Sequence, residues 1–335
     1  MQQIADTAGV SKSAVSLALR NDPRIPLSTR ERIRKVAEQL GYRRNPVVDS
    51  LMTQLRAGRQ PNFQANLGLL NCSPEKDLSK NHTFRRLREG VLRRTEQLGY
   101  GVEEFWLEQP DLRPQRLKQI LDARGIKGLL LIAALTPDML HEDYTGFWND
   151  FACAVLGVTH LDNQLDCASN DQFLTARRAT EKALEHGYTR PALFVPERDD
   201  ELLDNKFSAG FRSVSRLLQA KNRIEPVDLE MDQLDRAVER VSKLKPDVVI
   251  TNKTELYRAM KAAGMKIPKE VGVIHLDWHD GIPELAGMRQ NNRVVGSAAV
   301  DLVVGQLQKH EYGPQKYPKV VHIESIWIEG PSLRG

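Results

Sequence analysis

From residue 66 onward, apolar runs of five to seven residues recur, separated by stretches with helical spacing, and this alternation restricts the fold more than any other feature. The runs are NLGLL (66–70), VEEFWL (102–107), GLLLIAA (128–134) and ACAVLGV (152–158), then RPALFVP (190–196), PDVVITN (246–252) and VGVIHLD (271–277). A strand that is apolar at nearly every position has no face to offer water, so it must be covered on both sides. Such strands alternating with helices imply parallel sheets between helical layers. The runs fall into two sets, which predicts two α/β lobes.

Open α/β sheets bind ligands outside the carboxyl ends of their strands. The candidates are therefore the residues that follow each run: Asn71 and Ser73, Ala133, Asn252, and the trio Asp277, Trp278 and His279. Any one of these could equally be a capping or turn residue. Asp277 with Trp278 is the best pair, because a carboxylate accepts from hydroxyl or amine donors while an indole covers the apolar face of a ring, as in sugar and nucleobase sites.

The first sixty residues have a different character. They hold 11 Lys and Arg against 5 Asp and Glu, whereas the remaining 275 hold 37 against 39, so the basic excess is confined to one end. A small basic head on a near-neutral body is the electrostatic footprint of nucleic-acid binding. A merely solvated basic face is the bland alternative. Wound at 100° per residue, residues 12–20 separate into an apolar arc of Ala14, Val15, Ala18 and Leu19 and an exposed arc of Lys12, Ser13, Ser16, Leu17 and Arg20. Ser11 is placed to cap this helix, and Gly9 supplies the sharp turn from a preceding helix bearing Ile4, Ala5 and Ala8. This is a helix-turn-helix pattern. A third helix is marked by Ser28–Glu31 as a capping box, by Ile33, Val36, Ala37 and Leu40 on one face, and by Gly41 as its stop. Pro23 and Pro26 keep the connection before it non-helical. Beyond Asn45-Pro46, the residues Val47, Leu51 and Leu55 recur every four positions over barely two turns, too short for a helix that is stable alone. Its stripe either packs on the head, or pairs with a second copy so that Leu51 wedges into a base step from the minor groove.

The stretch IADTAGVSKSAVSLALRN, followed by TRERIRKVAEQLGYRRNP and SLMTQLRAG, resembles the LacI/GalR family of bacterial transcription regulators in unbroken order over about 58 residues. The resemblance implies a DNA head, a hinge helix that orders on the operator, and a periplasmic-binding-protein-like core that senses a ligand and dimerises. It assigns DNA contacts to Ser11, Lys12, Ser13, Ser16, Leu17 and Arg20 and the minor-groove lever to Leu51. At Leu17 the family most often has a polar or basic side chain; the leucine either touches a thymine methyl or forfeits a polar base contact. Asp49 is an unexpected anion in the hinge. More loosely, NHTFRRLREGV (81–91) is similar to the family segment that begins Asn-Pro-Phe-Phe, which places Phe84 at the effector, and MRQNN (288–292) does the same for Gln290. At 207 the family often has an arginine that grips a sugar hydroxyl or purine. Here it is Phe207, with Lys206 as a displaced positive charge, and Lys253 stands where the family has an acidic residue. These departures leave a phosphorylated or acidic effector, or no small molecule at all, open beside a carbohydrate or related metabolite.

The expected organisation is a helix-turn-helix head over 1–44, a hinge helix and linker over 45–60, and a two-lobed core over 61–335. Lobe 1 takes 61–160 and 286–320; lobe 2 takes 161–285 and 321–335. The function this implies is a DNA-binding transcription regulator, with repression the expected sign. It would bind a pseudo-palindromic operator in double-stranded DNA as a homodimer, under a small-molecule effector in the interlobe cleft. A ligand-binding receptor with a degenerate head is the alternative. No nucleotide-binding, zinc-protease or nucleophile-elbow motif is present, so no catalytic residue, cofactor or metal ligand is expected and the protein is read as a non-enzyme. Three cysteines without paired spacing point to reduced core thiols. The N-terminus lacks the sections of a signal peptide and no run approaches membrane-spanning length, so a cytoplasmic protein is expected.

Overall fold

A computed structural model describes residues 2–19, 22–40, 63–133, 144, 146–157 and 165–334. The N-terminal segment folds as α1 (Gln2–Ala8), α2 (Lys12–Leu19) and α3 (Leu27–Gln39). Gly9 takes the left-handed conformation (φ 63°) that turns α1 into α2, and the Val10 N–H donates back to the Ala5 carbonyl at 3.0 Å. Ser11 caps α2 through Oγ, which accepts from the Ala14 N–H at 3.1 Å. Ile4, Ala5, Ala8, Val15, Ala18, Ile33 and Ala37 form the core of the three helices.

Two details of α3 differ from the sequence reading. The helix starts at Leu27 rather than after Ser28, with the Arg30 N–H donating to the Pro26 carbonyl. Proline has no N–H to leave unsatisfied, so it can sit at that boundary and displace the capping box inward. Leu40, placed by periodicity on the core face, is 46% exposed because the helix ends at Gln39. The connection from α2 to α3 is held by Asp22 rather than by prolines alone. Its N–H donates to the Leu17 carbonyl, and its carboxylate accepts from the Arg24 N–H and from Nε and Nη2 of the Arg24 side chain.

The body runs β1 (Asn66–Asn71), α4 (His82–Leu98), β2 (Gly101–Trp106), α5 (Pro114–Ala123), β3 (Gly128–Ile132), β4 (Ala152–Leu156), β5 (Asp166–Asn170) and α6 (Gln172–Glu185). It continues through β6 (Pro191–Val195), α7 (Glu197–Glu201), α8 (Lys206–Ser215), β7 (Val227–Asp228), α9 (Leu234–Leu244), β8 (Val248–Thr251), α10 (Thr254–Ala262) and β9 (Gly272–His275). It closes with β10 (Ala286–Arg289), α11 (Asn292–Lys309), β11 (Val320–Ile323) and β12 (Ile326–Ile328). Two six-stranded sheets result, ordered β11-β5-β4-β3-β1-β2 and β12-β10-β9-β8-β6-β7. In the first, β1 pairs in parallel with both β2 and β3, so that Leu70 faces Phe105 on one side and Leu131 on the other. In the second, β7, β6, β8, β9 and β10 are parallel neighbours and β12 alone is antiparallel, against β10. The described residues divide into two compact units. One holds the chain up to Leu156, residues 165–167 and Gly296–Val320; the other holds Gly157, Ala168–Val295 and the chain from Val321 onward.

Alternate residues of one strand enter different cores, which is why the runs are apolar throughout. Leu193 and Val195 of β6 pack in one cluster of the second unit, while Ala192 and Phe194 pack in the other. Cys72, Cys153 and Cys167 are buried and form no disulfide, and burial pushes the Cys72 thiol up to about 12. Strand β5 has no apolar run. Its Asp166 is fully buried, one carboxylate oxygen accepting from the Lys319 N–H at 2.7 Å and the other from Gln306 Nε2 at 2.9 Å. Helices α6 and α8 touch through Gly210, where a Cβ would collide with the Phe173 carbonyl oxygen and lie 3.1 Å from the Arg177 nitrogen.

Two predictions follow from these contacts. Gly210→Ala must push α8 off α6 backbone, so denaturant unfolding is expected to show a loss of about 1–3 kcal/mol confined to the second unit. The Arg24 guanidinium beside Asp22 holds that carboxyl well below the usual carboxylate range. The pairing therefore stabilises the head fully above about pH 4 and is lost as the pH falls below it. Amide exchange of α1–α3 should show Asp22→Asn opening the head more readily than the native chain at pH 7, with the difference shrinking toward pH 2.

Candidate functional site

In the head, α2 buries Val15 and Ala18 and leaves Leu17 half-buried outside the core cluster. Ser11 is exposed and engaged as the cap. Lys12, Ser13 and Ser16 lie on α2, but their side chains are outside the described set, as are Arg20, Leu51 and the whole hinge segment.

In each sheet the chain leaves its first strand toward one side and then crosses to the other, which opens a crevice at the strand ends: between β1 and β3 in the first sheet, between β6 and β8 in the second. At the first crevice, Asn71 is buried at the end of β1. Its Nδ2 donates to the carbonyls of Glu75 (2.9 Å) and Lys76 (3.2 Å), and its Oδ1 accepts from the Ser73 N–H. Ser73 Oγ in turn accepts from the Glu75 N–H. Both side chains thus shape the loop after β1. Ala133, just past β3, is buried in a left-handed conformation (φ 62°), an uncommon state for a residue with a Cβ. Phe84 is half-buried in the first turn of α4, where its N–H and that of Thr83 donate to the Asn81 cap.

At the second crevice, the ends of β6 and β8 converge through α7. Asn252 Nδ2 donates to Asp199 Oδ2 at 2.9 Å, and Lys253 Nζ lies 2.6 Å from the same oxygen. The first contact fixes the amide orientation, which leaves Asn252 Oδ1 buried with no hydrogen-bond partner among the described residues. One strand further, the half-buried Asp277 follows β9, and its N–H donates to His275 Nδ1 at 3.1 Å. That donation makes Nδ1 an acceptor, so Nε2 carries the proton and faces Thr254 Oγ1 at 3.3 Å. His275 thereby ties the end of β9 to the start of α10. The Trp278 indole N–H donates to the Leu285 carbonyl at 2.8 Å while its ring packs on the core, so it serves as a wall rather than a donor. Gln290 bonds the Leu276 carbonyl and the Gln172 amide.

The two positions of the α8 start behave differently from a sugar-gripping arginine. Phe207 is 2% exposed in the core, and Lys206 Nζ is held by Asp204 at 3.1 Å. The start of α8 is organised by buried Asp200, which accepts from the Phe207 N–H, the Ser208 N–H and the Ser208 hydroxyl. Sequence reasoning passed over Asp199 and Asp200, and reads His275 as a core or surface histidine rather than a ligand. The carboxylates sit in an acidic run whose pattern does not separate paired from solvated groups, and the histidine sits inside an apolar strand.

Among the described residues, no group of three or more His, Cys, Asp or Glu could hold a metal, and no helix is long and apolar enough to cross a membrane.

Residues 1–45 match the model of the lacI family of bacterial regulatory proteins, and residues 180–332 match the periplasmic binding protein-like domain. The ribose operon repressor of Escherichia coli (strain K12) is 22% identical over 320 residues, 92% of each chain. The regulator CelR of Thermobifida fusca is 21% identical over 96% of each chain. Among solved structures, the lac repressor dimer bound to operator and the anti-inducer ONPF superposes with a TM-score of 0.59 at 18% identity, over 98% of this chain and 97% of that one. A CelR–cellobiose complex gives 0.59 at 17%, over 99% and 98%. Both domain models occur in order, a head of the lacI family of bacterial regulatory proteins over residues 1–45 and a periplasmic binding protein-like domain over 180–332, and the similarity to such regulators runs along the length of the chain.

Proposed function

We propose that this regulator is a sequence-specific repressor that grips a pseudo-palindromic operator as a homodimer and releases or tightens its hold when a small neutral polyol, of the carbohydrate class, binds at the strand ends of its core. The observation that carries the DNA half is the division of α2: Val15 and Ala18 are spent on the head's core, and the opposite face, with Leu17, belongs to the end of the chain that holds the basic excess. Lys12, Ser13, Ser16, Leu17 and Arg20 read the major groove on this proposal, and Leu51 enters the minor groove from the hinge. The operator-bound lac repressor dimer supports the homodimeric mode by its fold.

The effector half rests on charge pairing. Lys253 and Lys206, the two cations that a sequence reader would offer to an anionic effector, are each held by an aspartate. What the second crevice retains is acceptor chemistry at the buried Oδ1 of Asn252, with the half-buried Asp277 one strand further. Acceptors call for hydroxyl donors and repel anions. The ribose operon repressor and the cellobiose-bound CelR point to the same class.

Selection of bound sequences from random duplexes tests the first half. A palindromic site is expected, with affinity that falls steeply with salt; a head that selects nothing and shows no salt dependence is degenerate, and the chain is then a receptor only. Leu51→Ala should weaken that site at least tenfold more than random DNA, and equal losses on both remove the lever assignment. For the core, a screen of neutral sugars should find one that changes operator affinity in the native chain. Asp277→Ala should abolish that response with operator affinity kept, whereas loss of the folded core in that variant makes Asp277 structural.

A further inference from the structure

The first unit contains an open cavity of about 560 Å³ at the ends of β1 and β2, on the β2 side of β1 and opposite the crevice with β3, which shares only Asn71 with the strand-end candidates. Its size is that of a small-metabolite site. One wall is the loop from Ser73 to Asn81, which its own side chains hold in shape: Asn71 bridges the Glu75 and Lys76 carbonyls, and Asp77 accepts from the Ser79 N–H at 2.9 Å. The facing wall is the end of β2, where the Trp106 indole N–H donates to the Ser73 carbonyl at 2.9 Å and pins the ring across the cavity. Helix α4 supplies Arg85 and, one turn on, Arg88.

The charges on these walls do not cancel. Glu104 is spent on Arg88, accepting from Nε at 2.9 and 3.0 Å and from Nη2, which fixes that guanidinium and leaves Nη1 out of the pair. Asp77 accepts the Ser79 N–H and keeps its negative charge, so the walls carry three cations, Lys76, Arg85 and Arg88, against two carboxylates. Lys76 stands over the Trp106 ring, 5.9 Å from its centroid, and neither it nor Arg85 has a carboxylate partner among the described residues. A fixed aromatic wall beside a net positive charge, with one guanidinium held rigid, is a combination that favours an anion carrying a ring or short carbon body.

We propose that this cavity is a second small-molecule site, distinct from the polyol site at the strand ends, and that it takes an organic phosphate: the phosphate on Lys76 and Arg85, with Arg88 as a fixed flank, and the carbon body against Trp106. The site would let the regulator answer to two chemically different metabolites through separate units.

D-Ribose 5-phosphate serves as the probe, titrated calorimetrically into the full chain at constant ionic strength, with D-ribose and inorganic phosphate in parallel. Saturable binding of the sugar phosphate with a change in tryptophan fluorescence is expected, and inorganic phosphate should bind more weakly at the same place. Arg85→Ala and Lys76→Ala, both at exposed side chains that leave the fold intact, should each weaken the sugar phosphate about tenfold or more. Asp277→Ala should leave it unchanged, and Trp106→Phe should remove the fluorescence change. The proposal is overturned by absence of saturable binding, or by equal affinity in the native chain and both cation variants, which puts the phosphate elsewhere, such as on the basic head. It is likewise overturned if Asp277→Ala loses the ligand while Arg85→Ala keeps it, a result that would place the phosphate in the strand-end site and refute the neutral-effector reading as well.

Discussion

Parallel strands cannot be joined by tight hairpins, so each must be followed by a crossover that packs on a face of the sheet before the next strand begins. Most of this molecule obeys that requirement. It forces both faces of β6, β8 and β9 into apolar contact, which is why neighbouring residues such as Leu193 and Phe194 serve opposite cores. It also brings the carboxyl ends of parallel neighbours to one edge of each sheet, and where the order reverses, β1 from β3 and β6 from β8, the crossovers diverge and leave room. Asn71, Ala133, Asn252 and Asp277 are near that edge because the topology has nowhere else to put a strand's last residue.

Against this apolar frame the buried carboxylates fix the irregular parts. Asp166 in β5 is fully buried, and it satisfies the Lys319 N–H and the Gln306 amide and so anchors the approach to β11. Asp200 does the work of a missing cap: Asn205 sits at the start of α8 in a left-handed conformation (φ 56°) and makes no side-chain cap bond, while Asp200 accepts from the N–H groups of Phe207 and Ser208. Asp22 does the same for the α2–α3 connection. Each is buried and bonded at both ends, the condition under which a charge inside a protein is tolerated.

Legibility in the sequence followed burial chemistry. Strands β1, β3, β4, β6, β8 and β9 announce themselves because two-sided burial demands continuous apolar runs. Strand β5 does not, since Asp166, Ser169 and Asn170 are buried through hydrogen bonds that no periodicity records. β7, with two residues, and the exposed β11 and β12 carry too little pattern to read. In the head, the Ser11 cap, the Gly9 turn and the Val15–Ala18 face were readable because they are local. Leu40 misled for the same reason: its spacing is right, but the helix stops before it. The strand-end residues could be located by topology, yet their state could not, because Asn252 and Lys253 are held by Asp199 some fifty positions earlier in the chain.

That long-range pairing changes the electrostatic character of each place. A lysine at the end of a strand suggests an anionic effector as long as the residue is considered alone. Once Lys253 is spent on Asp199 and Lys206 on Asp204, the second unit's crevice is left with acceptors, and its electrostatic preference turns toward donors. In the first unit the balance runs the other way: Glu104 is paired with Arg88, and Lys76 and Arg85 face the cavity against the single carboxylate of Asp77. Composition is near-neutral in both places. What differs is which charges have partners within reach, and a charge with a partner costs a ligand its desolvation without offering it a contact. A regulator built on this fold can therefore set the chemistry of its signal by moving one aspartate, without altering the strands that hold the site.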